Sequence, residues 1–392
     1  MTAELAYLCA AIAAAGLLQA AAGLLALSKH QRRLPGTPIA LPPITILKPL
    51  HGAEPLLEQA LATFCAQSYP TYQIVFGVQN PSDPALKTLA RLRQRFPTLD
   101  MEIVVDSTPH GTNHKIANLL NMFGAAKHDT LVIADSDIHA APDYLRHLAT
   151  TLAQPGTGLV TTLYAGLPAD HGLAGAFGAA QINHSFLPGA LLARAMGRQD
   201  CLGATMALTR DTLASIGGLG ALSHHLADDA VLGRLVAEKG LSVALAPTIP
   251  STTIPETTIA ALLEHELRWA RTIRSLVPVG FALSIAQFPI AWAALAVLCA
   301  GLAPWACALF AATWFIRAAL AATMDRALGI TSHPYALWWM PGRDLMSVAV
   351  ILASYRTNRV AWRGQSLRAI PPPRVIQSLA ATSGYAQGIT QP

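Results

Sequence analysis

The hydrophobic pattern begins with an apolar N-terminal stretch. Residues 5–27 contain no charged side chain and one glutamine. About 23 such residues form a helix long enough to span roughly 30 Å of hydrocarbon, so a transmembrane anchor is predicted over residues 1–33. Positive charges follow the stretch at Lys29, Arg32 and Arg33 instead of preceding it. This order favours an uncleaved anchor, with the rest of the chain cytoplasmic, over a cleaved signal peptide.

A second apolar region lies near the C-terminus, and residues 277–365 are predicted to form transmembrane and interfacial helices. Residues 277–324 are long enough for two spans, broken near Gly301–Pro304. Arg317 interrupts the second span and should face protein or an interface instead of lipid. Residues 366–392, which begin with a proline-rich run and end rich in Ser, Gln and Gly, are predicted to be a disordered tail.

The stretch 335–355 is apolar but carries Arg343 and Asp344 in its middle. Positive charge on both sides of it argues against a simple crossing. An interfacial or re-entrant helix pair is expected here, with Trp338 and Trp339 at the depth of the lipid headgroups.

Between residues 40 and 275 the pattern alternates between strands and helices. This alternation predicts an α/β domain with a mainly parallel sheet covered by helices. Ligands of such sheets bind beyond the carboxyl ends of the strands. Strands are predicted at 43–50, 72–80, 101–107, 130–137, 158–164 and 204–210, and helices at 54–67, 86–95 and 115–127.

The composition agrees with a membrane protein that has a soluble part. The chain is 53% hydrophobic and 12% charged, whereas about 25% of the residues of an average soluble domain are charged. The net charge is +5 and the pI is about 9.0. No basic run with interleaved aromatic residues occurs, so nucleic acid is not expected as a partner. The five cysteines form no CxxC pair, which favours small core residues in a reducing compartment.

Two acids, Asp135 and Asp137, follow the predicted strand at 131–134. A D-x-D sequence at a strand end can hold one divalent cation, Mg²⁺ or Mn²⁺, with open positions for phosphate oxygens. A nucleotide-sugar diphosphate needs such help because its leaving group gains negative charge. The alternative is a solvated turn that caps the next helix.

Three other clusters carry chemistry of the same kind. Asp228 and Asp229 begin an amphipathic helix, where they serve either as N-terminal caps or as a general base. Arg268 and Trp269 lie on a helix just before the membrane, as an interfacial anchor or as a phosphate contact. Lys115 lies at a loop-to-helix junction, which can hold a phosphate.

Taken together, these motifs are more specific than any one of them. The chain carries "QNPSDPA", "ADSD", "ADD" and "HELRW" in that order. The series resembles the D, DxD, D, (Q/R)xxRW series of membrane glycosyltransferases of families 2 and 21, over roughly residues 40–280. Order and spacing are similar to those of ceramide glucosyltransferases and of bacterial hopanoid-associated glycosyltransferases. The resemblance implies a GT-A-type nucleotide-sugar-binding domain over residues 40–275.

The resemblance also implies roles for single residues. Asp229 would be the catalytic base, with Asp228 beside it on the acceptor side. Asp83 would lie near the uridine, a role for which Asn80 competes. Lys115 would contact the uracil or the diphosphate, and Gly203 would lie under the donor sugar. Asp135 and Asp137 would hold the sugar nucleotide and the metal, with Asp137 as the more direct ligand. Arg268 and Trp269 would line the diphosphate and acceptor end.

Two departures from the family pattern concern the acceptor and the diphosphate. His265 stands where Gln or Arg is usual, which would weaken the phosphate contact or make it depend on pH. Ala230 follows the third acid in place of an aromatic residue, which favours a bacterial branch over ceramide as acceptor. The apolar segment 172–195 is either an acceptor entrance or a plain helix, and His184 within it is either an acceptor contact or a core histidine.

The expected activity is an inverting transfer from a UDP-sugar to a lipid hydroxyl in the bacterial inner membrane. The resemblance favours N-acetylglucosamine and a hopanoid polyol; the alternative is a UDP-glucose:ceramide glucosyltransferase. A polysaccharide synthase and a non-catalytic membrane scaffold are further alternatives. A separation of more than about 15 Å between residue 229 and the 135/137 carboxyls would rule out a shared donor.

Overall fold

The fold is given by a computed structural model. Of the 392 residues, the structure describes 2–32, 41–331, 333, 335–357, 359–362 and 365–368. Its helices are α1 Thr2–Gln31, α2 Leu57–Cys65, α3 Ala85–Arg95, α4 His114–Phe123, α5 Tyr144–Leu152, α6 Leu173–Gln181, α7 Leu187–Ala195, α8 Arg210–Ser215, α9 Asp228–Glu238, α10 Ile259–Leu276, α11 Pro278–Leu283, α12 Pro289–Cys299, α13 Pro304–Ala327 and α14 Ala336–Ser354. A π-helical turn covers Ile182–Phe186, and 3₁₀ turns cover Leu219–Leu222 and Ser284–Gln287.

A seven-stranded sheet with the order β3-β2-β1-β4-β8-β6-β9 forms the centre of the protein. Only β8 runs antiparallel to its neighbours, β4 and β6, so the predicted α/β class with a mainly parallel sheet is confirmed. The strands are β1 Ile44–Leu50, β2 Tyr72–Val78, β3 Asp100–Val105, β4 Thr130–Ala134, β5 Ile138–His139, β6 Thr157–Thr161, β7 Ala165–Pro168, β8 Thr205–Thr209, β9 Ser242–Leu245, β10 Ser251–Ile254, β11 Arg359–Trp362 and β12 Gln365–Arg368.

Helices cover both faces of this sheet. Ile46 on β1 belongs to one buried cluster with Phe64 of α2 and Leu89 of α3. Its neighbour Leu47 belongs to another with Ile116 of α4. Strands buried on both faces read as continuous apolar runs, and the carboxyl ends of β1 and β4 are left as the open edge.

A small sheet with the order β5-β10-β7 closes the turn that carries the two acids. Ile138 of β5 pairs with Thr252 of β10, and the Thr253 amide donates to the Asp137 carbonyl at 3.0 Å. The position of Asp137 is therefore fixed by a strand more than 100 residues further along the chain.

The described chain has two helices long and apolar enough to cross a membrane, Ala3–Gln31 and Pro304–Ala327. Pro278–Gln287 and Pro289–Cys299 form a pair bent by 68°, which is either a broken span or a re-entrant loop. The protein is thus built as a membrane protein, as its composition predicts.

The helix pair predicted over 335–355 is wrong, because α14 is one continuous helix. Its charges do not face solvent: Arg343 is 3% exposed and Asp344 is 1% exposed. Each lies beside an opposite charge, Arg343 at Glu266 and Asp344 at Arg317. The prediction that Arg317 faces protein is confirmed, since it is 3% exposed and 3.7 Å from Asp344. Trp338 is exposed, whereas the ring of Trp339 packs against Phe177 with 4.9 Å between centroids.

The N-terminal helix packs closely against the rest of the protein through two glycines. A Cβ on Gly16 would lie 2.5 Å from the Ala286 carbonyl oxygen, and one on Gly23 would overlap Pro188. Small residues allow such close approach of helices in membranes. α1 is therefore part of the folded unit and does more than tether it.

The predicted disordered tail lies mostly outside the described residues. Residues 366–368 belong to β12, which pairs antiparallel with β11. The predicted domain limits, 1–33, 40–275, 277–365 and 366–392, stay predictions.

Candidate active site

A cavity of about 1280 Å³ opens beyond the carboxyl ends of β1 and β4. Side chains of opposite character line its two ends. The charged end comprises Lys115, Asp135, Asp137, Asp228 and Asp229, and the apolar end comprises Leu276, Phe281, Leu283, Phe288, Val350 and Ile351.

Lys115 holds the charged end together. Asn113 caps α4 by accepting hydrogen bonds from the Lys115 and Ile116 amides, which places Lys115 in the first turn. Its Nζ lies 2.6 Å from Asp135 Oδ1 and 3.9 Å from Asp228 Oδ2. Burial would lower the pKa of Lys115, but the two carboxylates outweigh burial and raise it, so the ammonium stays charged.

Asp228 and Asp229 begin α9. Asp228 accepts a hydrogen bond from Asn113 Nδ2 at 3.3 Å. Burial and the neighbouring Asp228 raise the pKa of Asp229 to about 6, against the opposing effect of Lys115. Such a carboxylate is deprotonated at neutral pH and still basic enough to accept a proton from a hydroxyl group.

Gly203 allows the chain to pass beside this base. A Cβ at this position would lie 2.9 Å from Asp229 Oδ2, and the Gly203 carbonyl oxygen accepts a hydrogen bond from Lys115 Nζ at 3.3 Å. Asp229 and Asp135 therefore both lie near the ammonium group of Lys115. The separation of more than about 15 Å that would exclude a shared donor does not occur.

Asp135 and Asp137 have the donor chemistry that a divalent cation needs. Asp137 Oδ2 accepts a hydrogen bond from Thr252 Oγ1 at 2.6 Å, and burial together with Asp135 raises the pKa of Asp137. Within the described residues, no group of three or more His, Cys, Asp or Glu side chains forms a closed cage. Two carboxylates completed by phosphate oxygens and water are a usual site for Mg²⁺, so the residues fit such an ion.

Arg268 and Trp269 of α10 also line the cavity. On the same helix, Glu266 accepts hydrogen bonds from Arg343 Nη1 at 2.9 Å and Nη2 at 2.8 Å. Arg343 Nη2 donates further to Gln181 Oε1 at 3.1 Å. This buried network fixes the helix that carries Arg268 against α14 and α6.

The sequence model of glycosyl transferase family 21 matches residues 8–375 of the chain. The chain belongs to glycosyl transferase family 21.

Curated relatives are ceramide glucosyltransferases. Ceramide glucosyltransferase 1 of Caenorhabditis elegans is 22% identical over 238 residues, which is 61% of this chain and 51% of the relative. The ceramide glucosyltransferase of Candida albicans is 31% identical over 121 residues, 28% of this chain and 22% of the relative. The chain thus spans about half the length, or less, of the curated relatives it matches.

Two solved glycosyltransferases are also similar. A mannosyltransferase from Pyrobaculum calidifontis in complex with GDP-Man and Mn²⁺ is 19% identical, with a TM-score of 0.48, over 90% of this chain and 99% of that one. Glucosyl-3-phosphoglycerate synthase from Mycobacterium tuberculosis, in complex with Mn²⁺, UDP and its product, is 17% identical, with a TM-score of 0.40, over 62% and 85%.

In this family 21 chain, two charged residues near the acids were not predicted from the sequence: Lys48 and Glu54. Lys48 is fully buried in β1, and its Nζ donates to the Asp135 carbonyl at 2.6 Å and lies 3.4 Å from the Phe64 ring centroid. Burial lowers the pKa of Lys48 to about 7, although Asp137 opposes this. Glu54 accepts a hydrogen bond from Ser136 Oγ at 2.5 Å. A lysine inside an apolar strand pattern is the signal that would have found Lys48.

The structure does not bring Asp83 to the cavity wall. Its carboxylate accepts hydrogen bonds from the Gly52 amide at 2.9 Å and from the Ala85 amide at 2.8 Å. Asn80, the competing residue, accepts from the Ser82 amide. Asp83 therefore holds the backbone at Gly52 and the start of α3, and its contact with the nucleotide stays a prediction.

Neither of the two candidate histidines is among the residues that line the cavity. His184 Nε2 lies 2.6 Å from Asp325 Oδ1 of α13, which favours the core role over the acceptor contact. His265 Nδ1 pairs with Glu256, so its predicted phosphate contact is not supported. Burial would raise the pKa of Glu256, but the hydrogen bond and charge interaction with His265, together with a backbone hydrogen bond and Arg268, outweigh burial and lower it.

The segment 172–195 contributes to the cavity, with Gln181, Ser185, Phe186 and residues of α7 on its wall. This position favours the acceptor entrance over the plain helix. Its role in acceptor binding stays a prediction.

Proposed function

We propose that this chain is an inverting glycosyltransferase that moves a sugar from a UDP-sugar to the hydroxyl group of a membrane lipid. The observation that carries the proposal is the single cavity that joins the carboxylates and Lys115 to an apolar end walled by α10, α11 and α14. Such an enzyme has to hold the diphosphate of the donor in one part of the site and an amphipathic acceptor in another, with the acceptor hydroxyl next to the sugar.

In the proposed reaction, Asp229 takes the proton of the acceptor hydroxyl. The oxygen forms a bond to the anomeric carbon from the face opposite UDP, while the bond from that carbon to the phosphate oxygen breaks. UDP leaves with the electron pair. One base beside the donor and no separate nucleophilic carboxylate suit inversion in a single step.

The departing diphosphate would be held by cations of the chain. Lys115, already between two carboxylates, and Arg268, across the cavity on α10, are the proposed contacts. Asp137 and Asp135 would hold Mg²⁺ or Mn²⁺, which when bound neutralises charge on the leaving group. Asp228 Oδ2 is buried without a hydrogen-bond partner among the described residues, and the Lys115 ammonium group lies 3.9 Å from it.

The proposed substrates are UDP-N-acetylglucosamine and a hopanoid polyol such as bacteriohopanetetrol. The motif resemblance and Ala230 after the third acid support this choice. UDP-glucose and ceramide are the second candidate pair, favoured by the curated relatives. Lys29 in the last turn of α1 and Arg32 directly after the helix support a cytoplasmic catalytic domain at the bacterial inner membrane.

The test uses the purified full chain in lipid nanodiscs. UDP-N-acetylglucosamine or UDP-glucose is offered with bacteriohopanetetrol or ceramide, with and without Mg²⁺ or Mn²⁺, and products are identified by mass spectrometry. A lipid that carries one added sugar supports the proposal. Asp229→Asn should lose turnover and keep UDP binding, whereas Asp211→Asn, an exposed acid on α8, should keep both. A wild-type chain that transfers no sugar to any lipid would contradict the proposal and favour a scaffold.

A further inference from the structure

The apolar stretch of α1 carries one carboxamide, Gln19. It lies three residues after Gly16 and four before Gly23, so all three share one face of the helix. The two glycines bring this face against Ala286 and Pro188. Gln19 thereby lines the cavity from within the N-terminal membrane helix.

A second carboxamide, Gln287, lines the cavity from the neighbouring element. It ends the 3₁₀ turn Ser284–Gln287, at the bend between α11 and α12. Because Gly16 packs against Ala286, the residue next to Gln287, the two glutamines approach the cavity from adjoining surfaces. Irregular backbone at membrane depth is tolerated where it lines a cavity.

Neither glutamine side chain has a hydrogen-bond partner within the part of the chain that the structure describes, and both residues are half-buried. Each carboxamide offers two donors and one acceptor. An amide left unpaired next to hydrocarbon is costly. Two such groups on one wall of a substrate cavity are therefore placed to pair with something that enters it.

We propose that Gln19 and Gln287 form a polar subsite for the acceptor lipid. They would hydrogen-bond hydroxyl or amide groups of the lipid other than the hydroxyl that reacts. The inference rests on the proposed function and deepens it, because it names which acceptors the cavity selects. Lipids with several polar groups near the reacting hydroxyl would be preferred over simple long-chain alcohols.

The test compares three acceptors with the full chain in nanodiscs: bacteriohopanetetrol, ceramide and hexadecan-1-ol. Gln19→Leu and Gln287→Leu should each raise the KM for whichever of the first two the wild type uses, by about tenfold, the size expected for one hydrogen bond. The KM for hexadecan-1-ol should stay within about twofold of the wild-type value. If that alcohol is not glycosylated, its competitive inhibition constant is measured instead. The KM for the UDP-sugar should not change.

Two controls separate recognition from altered packing. Gln94→Leu, at an exposed position on α3, should leave all constants unchanged, and Gln19→Asn should restore part of the preference. Equal KM changes for all three compounds, or no change for the polar lipids, would overturn the subsite while leaving the transferase proposal intact. A wild-type chain that glycosylates no acceptor would instead contradict the transferase proposal, and the subsite with it.

Discussion

The two ends of the cavity are built in different ways. The charged end takes its residues from strand ends and helix starts of one α/β domain, and Lys115 joins them by charge. The apolar end is assembled from α1, α7, α10, α11 and α14, with polar groups at few points. Motifs near the sheet edge therefore build the charged end, whereas the packing of distant helices builds the apolar end.

The largest expected effect is at the charged end. Asp229→Asn should lower kcat by about 10²–10⁴-fold, the range for loss of a general base. The KM for the UDP-sugar should change little, because the contacts to Lys115 and the acid pair remain. Steady-state kinetics measure both constants. A kcat within twofold of the wild type would show that Asp229 is not the general base.

The apolar end should be sensitive to its buried ion pair. Arg343→Met leaves Glu266 uncompensated and should cost about 3–5 kcal/mol, as for a broken buried pair. The double variant Arg343→Met/Glu266→Gln should recover part of that loss, because no charge is then left unpaired. Thermal unfolding in nanodiscs measures the difference.

A matched control for this pair is Arg91, which lies 2.7 Å from Glu58 on the surface, with 56% and 39% of the side chains exposed. Arg91→Ala should cost less than about 1 kcal/mol. Equal losses at the buried and the surface pair would show that the Arg343 contact does not fix α10.

Activity should depend on pH through the charged end alone. The pKa of Asp229 is raised to about 6, so protonation removes the base as the pH falls through that value. kcat/KM should be level above pH 7 and fall about tenfold per unit well below pH 6. A profile that stays level from pH 7 to 5 would contradict the assignment of the base.

A smaller effect is expected at Gly203. Gly203→Ala introduces a Cβ that would lie 2.9 Å from Asp229 Oδ2, and the carboxylate has to move a few tenths of an ångström to accept it. We expect a several-fold loss of kcat, about an order of magnitude at most, and unchanged thermal stability. Gly124→Ala, where a Cβ meets no atom within 4 Å, is the control.

The residues of the charged end could be found from the sequence because each lies in a short local motif, and the fold class brings those motifs to one sheet edge. Asp135 and Asp137 follow an apolar run, and Asp228 and Asp229 start a helix, so fold class and motif order placed them at one sheet edge. Lys48 was not identified because its significance depends on its burial within β1. The nucleotide role of Asp83 stays a prediction, because its carboxylate accepts hydrogen bonds from backbone amides of a neighbouring loop.

The apolar end was harder to predict because its contacts join distant parts of the chain. The sequence around Arg343 does not reveal its partner Glu266, and the sequence around Arg317 does not reveal its partner Asp344. Without these two pairings, the charges within 335–355 indicated a helix pair at the membrane surface. His184 was likewise ambiguous until its contact with Asp325, 141 residues away, was visible.

The pair between Glu266 and Arg343 also bears on how the chain is made. Glu266 leaves the ribosome 77 residues before Arg343, an interval of about 4–15 s at 5–20 residues per second. During that time α10 carries a carboxylate without its guanidinium, so it cannot settle into its final place. The α/β domain can therefore be complete while the apolar end of the cavity is still open, and α14, the most C-terminal helix among the described residues, closes it.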